Sequence, residues 1–406
     1  MNFGRSLGEC SILDDTEGNM KISDSRSRMT VGSAANRFRE VQIMRYVTLA
    51  VTAIVLSAAY GAAEESGTAD QQIAQAVQIL PQDLRAGATV VTYDAATGAR
   101  KVLRPGTNFI ECQPRMADGF VRCYNKSLAP RRDLEAKLRA QKKSDEEIQQ
   151  AVSAAVKAGT LPQPAKGMMA YRGFDKSDRI QNLWVMSLPN ATPESVGVST
   201  VSQRDAALAG HGLPWMMLPG KPGAHIMIPI NPPARPSSIT DAAPDEITQA
   251  TLPLPEDLRA AATVYKYDVK TGERVVLRQG TNFVECTPRG EDGFTWCYNT
   301  VSAPRRDFSA KLRAQGKSEK EIQAAVAEAV KAGSIPATPF GTMSYRLYGK
   351  KDRIQLLWVL SVPGATPESI GVSEGSQRDA AIAGDGRPWL MLSGTPGAHI
   401  MIPINR

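Results

Sequence analysis

The chain has 406 residues, 42% of them hydrophobic and 22% charged, with a formal net charge of +7. That apolar content is enough for sizeable folded cores and excludes a disordered chain. The excess of Lys and Arg is mild and lacks a dense basic stripe with aromatic support, which argues against a nucleic-acid binder.

Met44 and Arg45 open a secretory pattern: a short basic start, an apolar run over 46–59, then Gly61, Ala62 and Ala63 before Glu64. Charge, a short apolar core and a small-residue cleavage site describe a signal peptide over about 44–63, within a leader of 1–63. The run falls short of the ~20 residues a spanning helix needs, so no stable membrane span is expected in the mature chain. Residues 1–43 are polar and unpatterned, and initiation at Met29 or Met44 would put the signal peptide first. The pattern predicts export to the periplasm or the exterior.

Beyond the leader, residues 80–231 reappear as 254–405 without insertion or deletion, 174 positions on and with roughly two-thirds identity. The unit is far longer than the ~20–50 residues of a solenoid repeat, so the pattern predicts repeat domains over 70–231 and 244–406. A copy of this length can bury most of its unfolded surface, which predicts an independent core in each. A Pro/Ser-rich linker, 232–243, joins them. Four cysteines remain after the leader: Cys112 and Cys123 in one copy, Cys286 and Cys297 in the other. An even count at matching spacing in an exported chain reads as disulfides Cys112–Cys123 and Cys286–Cys297.

In chain order, residues 88–93 and 101–103 read as strands joined through 94–98, where Gly98 suits a left-handed turn position. Residues 108–112 and 120–124 form the next pair, which the disulfide would pin. A helix over 131–141 follows, with Leu134 and Leu138 on one face. A second helix starts at Ser144, where Glu147 completes a capping box. Ile148, Val152, Ala155 and Val156 give that helix its apolar stripe. Gly159 and Pro162 end it. Strands resume over 168–172, 182–187, 215–218 and 225–230. Strands, a helical hairpin and strands again predict an α+β fold with a mainly antiparallel sheet, written twice.

Three histidines occur: His211, His225 and His399. His225 and His399 are equivalent across the copies, whereas Asp385 matches His211. Met227 and Met401 stand two residues after these histidines, and alternate strand residues share a face. Imidazole and thioether together could ligate copper, against the simpler reading of a buried strand with a hydrogen-bonded His and a core Met. A hydrolase would draw on Asp205 with His225 and Asp379 with His399, Ser202 and Ser376 supplying hydroxyls. No Gly-x-Ser-x-Gly elbow surrounds either serine, and Arg204 paired with Asp205 at a helix start explains the cluster equally well. The segments 220–223 and 394–397 read as hairpin turns. The basic run Arg131, Arg132, Lys137, Arg139, Lys142 and Lys143 reads as a solvated helix face.

Gly106-Thr107-Asn108 followed by Cys112, together with Gly223-Ala224-His225-Ile226-Met227-Ile228, resembles a group of uncharacterised exported bacterial proteins, here tandemly duplicated. The resemblance implies export, no established activity, and no catalytic residues. The leading expectation is a non-enzymatic protein that binds a ligand or cell-surface component, doubled for avidity. The alternatives are a secreted hydrolase using the Asp/His pair of each copy and a periplasmic copper-binding module through His-x-Met. Outside the copper reading, no cofactor is implied.

Overall fold

Why the chain folds as it does is clearest at its turns. In a computed structural model, which describes residues 67–116, 119–233, 245–350 and 352–404, Asp94 accepts from the Ala96 and Thr97 amides at 3.1 and 2.8 Å. This folds β1 (Thr89–Tyr93) back onto β2 (Arg100–Arg104). Gly98 closes the turn at φ +67°, and a Cβ there would lie 2.6 Å from the Lys137 backbone. Only glycine fits both the torsion and the close approach. The signal peptide and linker residues 234–243 lie outside the described residues.

The first copy continues with β3 (Ile110–Gln113), β4 (Phe120–Asn125), β5 (Met169–Phe174), β6 (Asn182–Ser187), β7 (Trp215–Met217) and β8 (His225–Pro229). Its helices are α1 (Ala69–Val77), α2 (Gln82–Arg85), α3 (Ala129–Ala140), α4 (Asp145–Lys157), α5 (Pro193–Val196) and α6 (Arg204–Leu208). The eight strands lie in the order β2-β1-β3-β4-β5-β6-β8-β7. Only β1 and β3 pair in parallel; the remaining pairs are antiparallel.

The second copy repeats this sheet with β9 (Thr263–Tyr267), β10 (Arg274–Arg278), β11 (Val284–Thr287), β12 (Phe294–Asn299), β13 (Met343–Tyr348), β14 (Leu356–Ser361), β15 (Trp389–Met391) and β16 (His399–Pro403). Its helices are α7 (Glu246–Thr251), α8 (Glu256–Arg259), α9 (Ala303–Ala314), α10 (Glu319–Lys331), α11 (Pro367–Ile370) and α12 (Arg378–Ile382). The protein is thus two tandem α+β domains. Each carries one disulfide, Cys112–Cys123 or Cys286–Cys297, directly across a strand pair. No helix among the described residues is long and apolar enough to cross a membrane.

The helical hairpin follows its sequence signals. Ser144 and Glu147 form a full capping box, and Ile148 and Val152 are buried. Helix α3 differs from expectation: it begins at Ala129, and its buried residues are Arg131 and Glu135, whereas Leu134 and Leu138 are half-buried. The basic run is therefore no solvated face at its start. Helix α1, which the sequence reading did not anticipate, buries Ala76 and Val77.

An independent core in each copy is expected from length, but the packing gives one core shared by both. Ala76, Tyr171 and Trp184 belong to the same contiguous hydrophobic cluster as Tyr345, Trp358 and Ile400. The polar contacts across the copies are reciprocal. Helix α5 ends at Gly197 and α11 at Gly371, both left-handed, and such ends leave backbone carbonyls without helical partners. Tyr345 donates to the Gly197 carbonyl and Tyr171 to that of Gly371. Asn299 donates to the Glu194 carbonyl at 2.6 Å, and Asn125 to that of Glu368 at 2.7 Å. Ser199 donates to Asp257, and Ser373 to Asp83. Each copy satisfies the helix end of the other, in the manner of an isologous dimer joined into one chain.

Tyr171→Phe and Tyr345→Phe each leave a buried carbonyl unpaired, at a cost of about 1–3 kcal/mol. Urea denaturation should show that loss within a single transition for both copies. Two separated transitions, with only one shifted by each variant, would contradict the shared core.

Candidate functional site

Strand alternation sorts each sheet into two faces. On β12, Cys297 belongs to the shared cluster, so Trp296 and Tyr298 take the opposite face. Arg346 on β13 and His399 on β16 alternate likewise with the core residues Tyr345 and Ile400. Helix α9 is anchored at the sheet edge through Asp307, which accepts from Tyr267 at 2.9 Å and from Arg274 at 2.5 Å. A cleft of about 570 Å³ opens among α9, α10 and these strands, within the usual range for small-molecule sites.

The cleft is cationic. Arg305, Arg306 and Arg313 enter it from α9 and Arg346 from β13. Helix α9 has no acidic residue in its first turn, so Arg305 and Arg306 add charge at the positive end of the helix dipole. The Arg306 guanidinium carbon lies 3.5 Å from the Trp296 ring centre and 3.8 Å from that of Tyr298. These cation–π contacts hold the group in place without neutralising it. The one carboxylate of the lining, Glu319, is already committed to Arg313 at 2.6 and 3.0 Å. Among the described residues, neither Arg305 nor Arg306 has an acidic partner.

The charges press on one another. Burial, with Arg313 adding repulsion, pushes the Arg306 guanidinium down to about 10. Arg305 and Arg346 are lowered by burial and then by the charge of Arg306. His399 falls below the ordinary histidine value through burial, then through the charge of Arg346. Four buried polar atoms of the lining have no hydrogen-bond partner among the described residues: Arg306 Nε, Arg346 Nε, Trp296 Nε1 and Tyr298 Oη. All four belong to residues that line the cleft.

The equivalent positions of the first copy are buried. Glu135 is 3% exposed and accepts from Arg131 Nε at 2.9 Å and Arg132 at 2.7 Å. Tyr124, Leu128 and Met168 form a buried cluster beside it. Ser309, Ser302 and Thr342 stand at the positions of Glu135, Leu128 and Met168 in the second copy.

Of the residues singled out from sequence, His399 lines the cleft and donates from Nδ1 to the Gly397 carbonyl, 2.8 Å away. His225 makes the same contact with Gly223 at 2.8 Å. Met227 is buried with Leu183, Val185 and Trp215, and Met401 packs against the cluster of Leu357, Val359 and Trp389. No group of three or more His, Cys, Asp or Glu suited to a metal ion occurs among the described residues. The Asp205 and Asp379 side chains are 95% and 98% exposed beside Arg204 and Arg378. No hydrogen bond joins Asp379 to His399. Arg305, Arg306, Arg346, Trp296 and Tyr298 escaped the sequence reading. Of these only Trp296 differs between the copies, standing where the first has Arg122; the others are shared.

Compared with known protein families, curated proteins and solved structures, the chain matches none.

The lowered His399 gives a signed pH effect. The unfolded chain takes up this proton near pH 6.5, while the folded state resists it to lower pH. The contribution of neutral His399 to stability is therefore lost as pH falls below about 6.5. His399→Gln should flatten the fall in thermal midpoint between pH 7 and 5; an unchanged slope would remove this assignment.

Proposed function

We propose that the protein is an exported, non-enzymatic binding protein whose second copy takes a small anionic molecule in the cleft beneath α9 and α10. The observation that carries the reading is Arg306: a guanidinium pressed between Trp296 and Tyr298, without an acidic partner, its charge disfavoured by burial. An anion would pair with the guanidinium and offset its charge. Arginine presents a rigid fork suited to planar or tetrahedral anions, and the aromatic walls suit a ligand with an apolar body. Two disulfides fit an oxidising compartment, the periplasm or the exterior.

This reading changes the use of the doubling. Avidity requires two competent sites, whereas the first copy fills the equivalent space with Glu135, Leu128 and Met168.

Replacing a buried, uncompensated charge by an apolar side chain of similar length is often neutral or stabilising. Arg306→Met should therefore leave the thermal midpoint of the ligand-free protein unchanged or higher. It should weaken binding of an aryl anion by about 10–100-fold, the worth of a charged hydrogen bond. Titration calorimetry with benzoate and phenyl phosphate reads the affinity. Undiminished affinity in the variant would exclude Arg306 from the site.

A further inference from the structure

We propose that Glu135 is a built-in stand-in for the ligand: its carboxylate holds, in the first copy, the place that a ligand carboxylate takes in the second. The inference rests on the cleft reading and narrows the ligand to a carboxylate.

The two copies present the same three arginines in different surroundings. Arg131, Arg132 and Arg139 of α3 correspond to Arg305, Arg306 and Arg313 of α9. In the first copy the three arginines gather on one group. Glu135 Oε1 takes Arg131 Nε at 2.9 Å, Oε2 takes Arg132 at 2.7 Å, and Arg139 stands 3.9 Å away. The two oxygens of one planar carboxylate thus face two different guanidinium groups, a geometry these side chains favour.

In the second copy that carboxylate is absent. Ser309 takes the position of Glu135 and donates back to the Arg305 carbonyl at 2.9 Å, one turn earlier. The guanidinium groups of Arg305 and Arg306 are retained, yet what satisfied their equivalents is gone. Arg305 is exposed, but Arg306 stays largely covered by Trp296 and Tyr298, and keeping that cation while deleting its counterion is costly for a purely structural element. It is what a site needs if the counterion arrives from outside.

The surrounding exchanges run the same way. Leu128 becomes Ser302, Met168 becomes Thr342 and Ala170 becomes Ser344. All three replacements line the cleft. Leu→Ser and Met→Thr remove apolar volume, and all three introduce a hydroxyl, although that of Thr342 donates to the Pro339 carbonyl at 2.8 Å. One copy holds an internal carboxylate and apolar side chains at this place; the other has smaller, polar side chains around the equivalent arginines.

The test uses the mature chain, residues 64–406, with Ser309→Glu and Ser309→Gln, and benzoate and phenyl phosphate as probes. Ser309→Glu should abolish saturable benzoate binding, a loss of 100-fold or more. It should also raise the thermal midpoint by about 2 °C or more as the new carboxylate pairs with Arg305 and Arg306. Ser309→Gln, of the same length but uncharged, should show no such rise. The unsubstituted protein should bind benzoate at least 10-fold more tightly than phenyl phosphate. If Ser309→Glu shifts the midpoint no more than Ser309→Gln, the stand-in is overturned whatever the protein binds. If phenyl phosphate binds more tightly, the carboxylate assignment falls while the anionic cleft stands. If neither probe binds, the cleft reading fails and takes this inference with it.

Discussion

The structure depends on the reciprocal closure of the two copies. Each copy ends a short helix in a left-handed glycine, and each leaves the carbonyls there to be satisfied by a tyrosine and an asparagine of the other. Those bonds sit at the margin of one apolar cluster drawn from both sheets. A buried carbonyl without a donor is expensive, and an exposed sheet face of Tyr, Trp and Ile more so. Neither copy can drift from the other without incurring both costs. The inner faces are constrained as a pair.

That constraint releases the outer faces. Because the shared core is built from one set of alternating strand positions, the other set is free to differ between copies. Cys123 and Cys297 are identical, and so are Tyr171 and Tyr345, whereas their strand neighbours Arg122 and Ala170 are replaced by Trp296 and Ser344. The same sheet and hairpin support a neutralised, filled space in one copy and a cationic opening in the other. The disulfide cysteines lie on the shared-core face, opposite the change.

Much of the fold was legible in sequence, because its devices are local. Ser144 with Glu147 announces a helix start, Gly98 a turn, and Cys112 with Cys123 a cross-strand staple. The shared core was not legible. Tyr171 and Trp184 read as core residues in either arrangement, and nothing local says that Gly371 lies beyond them. The site was misread for a related reason. Arg131 and Arg132 in a run of cations look like a solvated helix face, and only the burial of Glu135 shows that the helix turns them inward. Attention to residues shared by the copies favoured His399, which does line the cleft. It passed over position 309, where the difference between Glu135 and Ser309 carries the chemistry.

Two copies of one fold, about two-thirds identical, are proposed to make one site. Titration calorimetry of the mature chain with benzoate measures this directly, through the stoichiometry. The account predicts one benzoate per chain. Two per chain would mean that the first copy is open as well, and the division of roles between the copies would be wrong.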